Sequence, residues 1–123
     1  MKAKSRTTLE LQPRIRIRAG NEIPLGPGKS ELLGWVQKTG SITKAARKMG
    51  MSYMRAWTLI RTMNACFKEP VVVATKGGNK GGGGAQLTET GRRALALYES
   101  MNRKCLRAAR PDWTKLQTLL EAR

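Results

Sequence analysis

Residues 40–64 read GSITKAARKMGMSYMRAWTLIRTMN, and residues 71–88 read VVVATKGGNKGGGGAQLT. In the first stretch Ser41 stands where a hydroxyl accepts from the opening amides of a helix. Ile42, Ala45, Ala46 and Met49 follow at i, i+3, i+4 and i+7, so they share one face of a short helix. Gly50 ends it, Met51 plugs the space between the helices, and Ser52 caps the next. Ala56, Leu59 or Ile60, and Met63 supply that helix's buried stripe. Ala46 and Gly50 are small where two helices are expected to cross closely. Glu69-Pro70 stops the second helix. Val71-Val72-Val73 and Ala85-Gln86-Leu87 are then two strands around a glycine-rich loop.

Working outward, Arg14-Ile15-Arg16-Ile17-Arg18 alternates and predicts a strand with Ile15 and Ile17 facing inward. Ala19-Gly20-Asn21 is a turn signal, and Glu22-Ile23-Pro24-Leu25 a short return strand. After Gly26-Pro27-Gly28, Leu32, Leu33, Trp35 and Val36 predict a helix capped by Ser30 and ended by Thr39-Gly40. Downstream, Thr88 opens a long helix with Ala94, Leu95, Leu97, Tyr98, Met101 and Leu106 as its apolar stripe. Pro111-Asp112 is expected to punctuate it before a last segment bearing Trp113, Leu116, Leu119 and Leu120. The domain plan is therefore a basic, poorly ordered N-terminus at 1–12, a compact unit at 13–88, and a C-terminal helical segment at 89–123. The fold class is mainly α with a small antiparallel β-sheet, in the order of a winged helix-turn-helix with a long C-terminal helix.

The chain has 123 residues, with 24 Lys+Arg against 8 Asp+Glu and a formal net charge of +16. Such an imbalance speaks about partners, not fold, and double-stranded DNA is the expected polyanion. The basic residues recur in every segment, which argues for a basic folded body and not only a basic arm. No apolar run approaches the roughly 20 residues of a membrane span, and the N-terminus lacks the apolar core of a secretory signal. Cys66 and Cys105 have no metal-binding or redox spacing and read as ordinary thiols in the cytoplasm. The chain has no histidine and no suggestive pairing of acids, so it offers neither a general base nor a metal site, and no enzyme or cofactor is expected. Gly28-Lys29-Ser30 imitates the end of a phosphate-binding loop, but Ile23 stands where its first glycine is required.

In a helix-turn-helix, the second helix enters the major groove. Its outward residues here are Ser52, Tyr53, Met54, Arg55, Thr58 and Arg61; either Tyr53 or Trp57 can stack into the core, and Trp57 is the one expected to. Arg55 is the sharpest candidate, because a guanidinium pairs bidentately with guanine. Lys44, Arg47 and Lys48 are placed for phosphates, with Ser41 and Thr43 adding hydroxyl or amide contacts. The loop at 76–84 holds six of the chain's 13 glycines, and Lys76 and Lys80 would lie along the DNA backbone. Two other readings share this chemistry: a sequence-indifferent nucleoid- or RNA-binding protein, and a phosphate-handling enzyme using the glycine loop.

The residues SITKAARKMGMSYMRAW, then MN, then GGNKGGGGAQLTETG, resemble the N-terminal DNA-binding domain of molybdate-responsive (ModE-type) bacterial regulators. More distantly they are similar to the LysR-type helix-turn-helix. The resemblance runs from about residue 14 to about residue 107. It implies a transcriptional regulator that binds a palindromic operator as a homodimer, with helices outside the reading head making the dimer. Such regulators often carry a C-terminal oxyanion-binding domain; a chain ending at Arg123 has no room for one, so molybdate sensing is not carried over.

Overall fold

The computed structural model describes residues 8–79 and 82–120. Its elements in chain order are β1 (Ile17–Ala19), β2 (Glu22–Leu25), α1 (Pro27–Thr39), α2 (Ile42–Lys48), α3 (Tyr53–Cys66), β3 (Val72–Asn79), β4 (Gly82–Leu87) and α4 (Glu89–Gln117). The strands form two separate antiparallel pairs, β1–β2 and β3–β4. The helices and both hairpins close on one core. Leu32, Leu33 and Val36 come from α1, Ala45 and Ala46 from α2, and Ala56, Ile60 and Met63 from α3. Val71, Val72, Ala85 and Leu87 cover it from the second hairpin, and Leu95 and Tyr98 from α4.

The punctuation around α2 and α3 matches the sequence reading. The Ser41 hydroxyl accepts from the Lys44 amide at 3.1 Å, and that of Ser52 from the Arg55 amide at 3.1 Å. Gly40 and Gly50 adopt left-handed φ values of 69° and 68°. After α2 the amides of Gly50 and Met51 donate back to the carbonyls of Arg47 and Ala46, which closes the helix end. Gly50 corrects one expectation. A Cβ there would meet nothing within 4 Å, so the position needs glycine for its φ and not for a close helix crossing.

Four other expectations change. The first strand is only Ile17–Ala19, and Ile17 is exposed while Ile15 packs against the core outside any strand. The helix α1 starts at Pro27, whose fixed φ suits a first helical position, so Ser30 lies inside it and donates to the Pro27 carbonyl. Helix α3 stops at Cys66, before Glu69-Pro70 is reached. And α4 runs 29 residues straight through Pro111. Proline removes one amide donor to the Arg107 carbonyl, while its neighbours Ala108, Ala109 and Arg110 favour helix strongly enough to continue it.

The glycine-rich stretch is largely paired backbone. Val72, Val73, Ala74 and Thr75 face Leu87, Gln86, Ala85 and Gly84, and after a register shift Asn79 faces Gly82. The ladder uses only amides and carbonyls, which glycine supplies as well as any residue. This hairpin is tied to the body at three places. The Ala85 amide donates to the Gly40 carbonyl at 2.9 Å. Asn64 of α3 accepts from the amides of Val71 and Val72 and donates to the Val72 carbonyl. Thr88, the N-cap of α4, donates its hydroxyl to the Pro70 carbonyl and its amide to that of Val71.

Candidate nucleic-acid interface

Once α3 has buried Ala56, Ile60 and Met63, the opposite side of the helix is free. Met54, Thr58 and Arg61 fall there at i, i+4 and i+7, with Arg55 beside them, and all four are exposed. Met54 is 64% exposed and Tyr53, at the first turn, 47%. Bare methionine and tyrosine in the middle of a cationic surface form a face built for contact, not for hydration alone.

A concave surface adjoins this face. A cleft of about 780 Å³ separates α2 and α3 from the β3–β4 hairpin. On the α2 side it is lined by Ser41, Thr43, Lys44 and Arg47; on the α3 side by Tyr53, Trp57 and Asn64; on the hairpin side by Val72, Ala74, Gly84 and Ala85. Four of the expected phosphate-binding residues are thus gathered on one wall. Lys48 goes elsewhere: its ammonium lies 5.4 Å from the centre of the Trp35 ring, which Lys38 also approaches, at 5.0 Å. Both lysines sit in the last turns of their helices, where a cation offsets the negative dipole end. A smaller cleft on the other flank of α3 brings Thr58, Arg61 and Thr62 near Glu22 of the first hairpin. Lys80 lies outside the described residues, and only the backbone of Lys76, within β3, is described.

Trp57 corrects the sequence reading. It is 38% exposed and lines the cleft instead of the core. The periodicity contained the signal: with Ala56, Ile60 and Met63 inward, position 57 is turned about 100° from the stripe, toward Tyr53 and Asn64. Asn64 is the other cleft residue that reasoning from the sequence missed. Its amide ties the base of the hairpin to α3.

The single ion pair among the described residues, Arg92 with Glu89 at 3.0 Å, is an exposed helical pair on α4. Among the described residues, no carboxylate comes within ion-pair distance of the cations of α2 and α3. Among the described residues no group of three or more His, Cys, Asp or Glu is placed to hold a metal, and no helix is long and apolar enough to cross a membrane. Cys66 is half-buried and Cys105 exposed, both as free thiols.

Comparison with known proteins agrees with this geometry. The transcriptional regulator ModE of Yersinia pestis is 37% identical over 125 residues, covering 99% of this chain and 44% of that protein. The DNA-binding transcriptional dual regulator ModE of Escherichia coli K12 is 36% identical over 99 residues, 80% of this chain and 34% of that one. The molybdenum transport protein ModE of Azotobacter vinelandii is 43% identical over 77 residues, 63% of this chain and 28% of that one. The chain thus spans less than half the length of these relatives, none of which bears an enzyme's name. The model of bacterial regulatory helix-turn-helix proteins of the lysR family matches residues 30–92, which takes in α1 to the start of α4. By that match over half its length, and by the helix-turn-helix it folds into, the chain belongs to the lysR family of bacterial regulatory helix-turn-helix proteins.

Proposed function

We propose that the chain is a sequence-specific DNA-binding transcriptional regulator that acts in the cytoplasm as a homodimer on a two-fold symmetric operator. Helix α3 enters the major groove, Arg55 and Arg61 read base edges, and Lys44 and Arg47 hold phosphates. The hairpin β3–β4 follows the backbone as a wing, with Lys76 and Lys80 on it. The observation that carries the reading is the exposed face of α3 beside a cation-lined cleft, on a body of net charge +16. The names of the relatives support the regulatory role.

The dimer is supported by α4. About 44 Å of helix follows from its length at 1.5 Å per residue, and only its first third, at Gly91, Leu95 and Tyr98, is buried. Leu97 and Met101, 60% and 41% exposed, border an apolar groove floored by Leu25 and Phe67, and Leu116 and Leu119 continue the apolar exposure toward the C-terminus. A second α4 would cover that surface.

Selection of bound sequences from random duplexes tests both parts. The expected product is a two-fold symmetric site preferred over random DNA by about 10³ or more. Arg55→Ala should lower that preference by about tenfold or more, because it removes a bidentate base contact. Lys44→Ala should weaken both kinds of DNA alike and reduce the salt slope by about one. Equal affinity for all duplexes would select sequence-indifferent binding instead. Leu97→Glu should give a monomer in sedimentation.

A further inference from the structure

We infer that the cleft between α2, α3 and the β3–β4 hairpin seats one strand of the DNA backbone, with Trp57 and Tyr53 as an apolar wall for deoxyribose. Lys44 and Arg47, on the α2 side of the same cleft, take the adjoining phosphates. This rests on the reading of α3 as the DNA-reading helix, and it assigns Trp57 a task that the family match does not.

An indole left open in a concavity offers a broad apolar face for contact. The chain has only three tryptophans, and Trp57 leaves 38% of its surface uncovered in a concavity. Tyr53, one helical turn earlier, exposes 47% and lines the same wall. The same cleft is lined by two cations, Lys44 and Arg47, with no carboxylate within ion-pair distance among the described residues. A ligand that fits must offer both apolar surface and negative charge. Deoxyribose linked to phosphate has this composition, repeated along a strand, and the volume of about 780 Å³ lies in the range of sites that hold molecules of nucleotide size.

Position decides between sugar and base. Trp57 lies on the hairpin side of α3, about 100° round the helix from Thr58 on the reading face. The base edges belong to Arg55 and Arg61, and Trp57 meets the strand that bounds the groove. Its contact is therefore indifferent to sequence, and as a neutral group it releases no counterions.

Binding of the full chain to its selected duplex and to random duplex, across a salt series, tests this. Trp57→Ala is expected to weaken both by a similar factor, about fivefold or more, with the salt slope unchanged. Lys44→Ala and Arg47→Ala should each lower the slope by about one. Trp57→Phe should recover most of the affinity. In a Trp35→Phe/Trp113→Phe chain, where Trp57 is the sole indole, saturating DNA should protect its fluorescence from acrylamide. That measurement stands even where Trp57→Ala fails to fold. A folded Trp57→Ala protein with wild-type affinity, or an indole unprotected by bound DNA, overturns the inference and leaves the DNA-binding reading in place. A loss confined to the selected site also overturns it, by moving Trp57 to base reading. A wild-type chain that binds no duplex overturns both.

Discussion

Asn64 offers a measurable test of how the hairpin is held. Its Oδ1 accepts from the amide of Val71 at 2.7 Å and from that of Val72 at 3.3 Å, and its Nδ2 donates to the Val72 carbonyl at 3.1 Å. Val71 and Val72 are buried, at 0% and 4% exposure, so their backbone groups have little water to turn to. Asn64→Ala removes three hydrogen bonds at once. At about 1 kcal/mol net for each, with the longest counted as half, the loss is about 2.5 kcal/mol. For a chain of this size each kcal/mol lowers Tm by about 4 °C, so the midpoint should fall by about 10 °C.

Stability alone does not locate the damage, and two further readouts do. Hydrogen exchange at the amides of Val71 and Val72 should accelerate in Asn64→Ala well beyond that of the α1 core amides, because these two donors lose their acceptor. Asn64→Asp keeps the acceptor for both amides but loses the donor and turns an oxygen toward the Val72 carbonyl. It should fall between wild type and Asn64→Ala. A Tm within about 2 °C of wild type for Asn64→Ala, with unchanged exchange at both amides, would show that the hairpin is held by its apolar contacts and that the clamp is incidental.

Two further outcomes follow from the same region and its neighbour α4. A Cβ at Gly91 would land on the carbonyl of Val71, within 3.2 Å of its Cα, and both belong to backbone that cannot turn aside. Gly91→Ala should therefore cost about 2 kcal/mol in thermal or denaturant unfolding, and combining it with Asn64→Ala should be non-additive, since both displace Val71. Burial pushes the Tyr98 phenol upward, with Ser30 and the Arg14 charge pulling part of it back, and its hydroxyl donates to the Ile15 carbonyl at 2.6 Å. The folded value lies above the unfolded one, so the contribution is complete below about pH 10 and is lost as pH rises through the folded value. Melting between neutral and strongly alkaline pH should show a steeper loss for wild type than for Tyr98→Phe.

The helix-turn-helix was legible because its signals are local. A hydroxyl at Ser41 or Ser52 reaches an amide three residues on, and a left-handed glycine at position 40 or 50 closes a helix, whatever the remainder of the chain does. The order of elements then carried the fold, and charge pointed to the class of partner proposed. What failed was of another kind. Pro111 and Ser30 were read as punctuation from residue type alone, when the surrounding helix tolerated the first and Pro27 pre-empted the second. The glycine run was read as loop because glycine has little strand preference, but Val72 to Thr75 and Gly84 to Leu87 seed a ladder that glycine backbone can extend.

The site divides along the same line. Positions 54, 55, 58 and 61 follow from helix period alone, and the structure leaves all four exposed. Trp57 and Asn64 acquire their roles from a hairpin that arrives later in the chain and from opposite the core stripe. An indole next to a buried stripe is ordinarily core, and here it would be, were the space above it not left open between α2 and β3. Asn64 would be an unremarked polar residue near a helix end, except that the first strand residues present two amides and a carbonyl to its one side chain. The same geometry explains why the two belong together. The amide of Asn64 holds the start of β3 beside the side of α3 that carries Trp57, and the cleft into which the indole opens is lined by both.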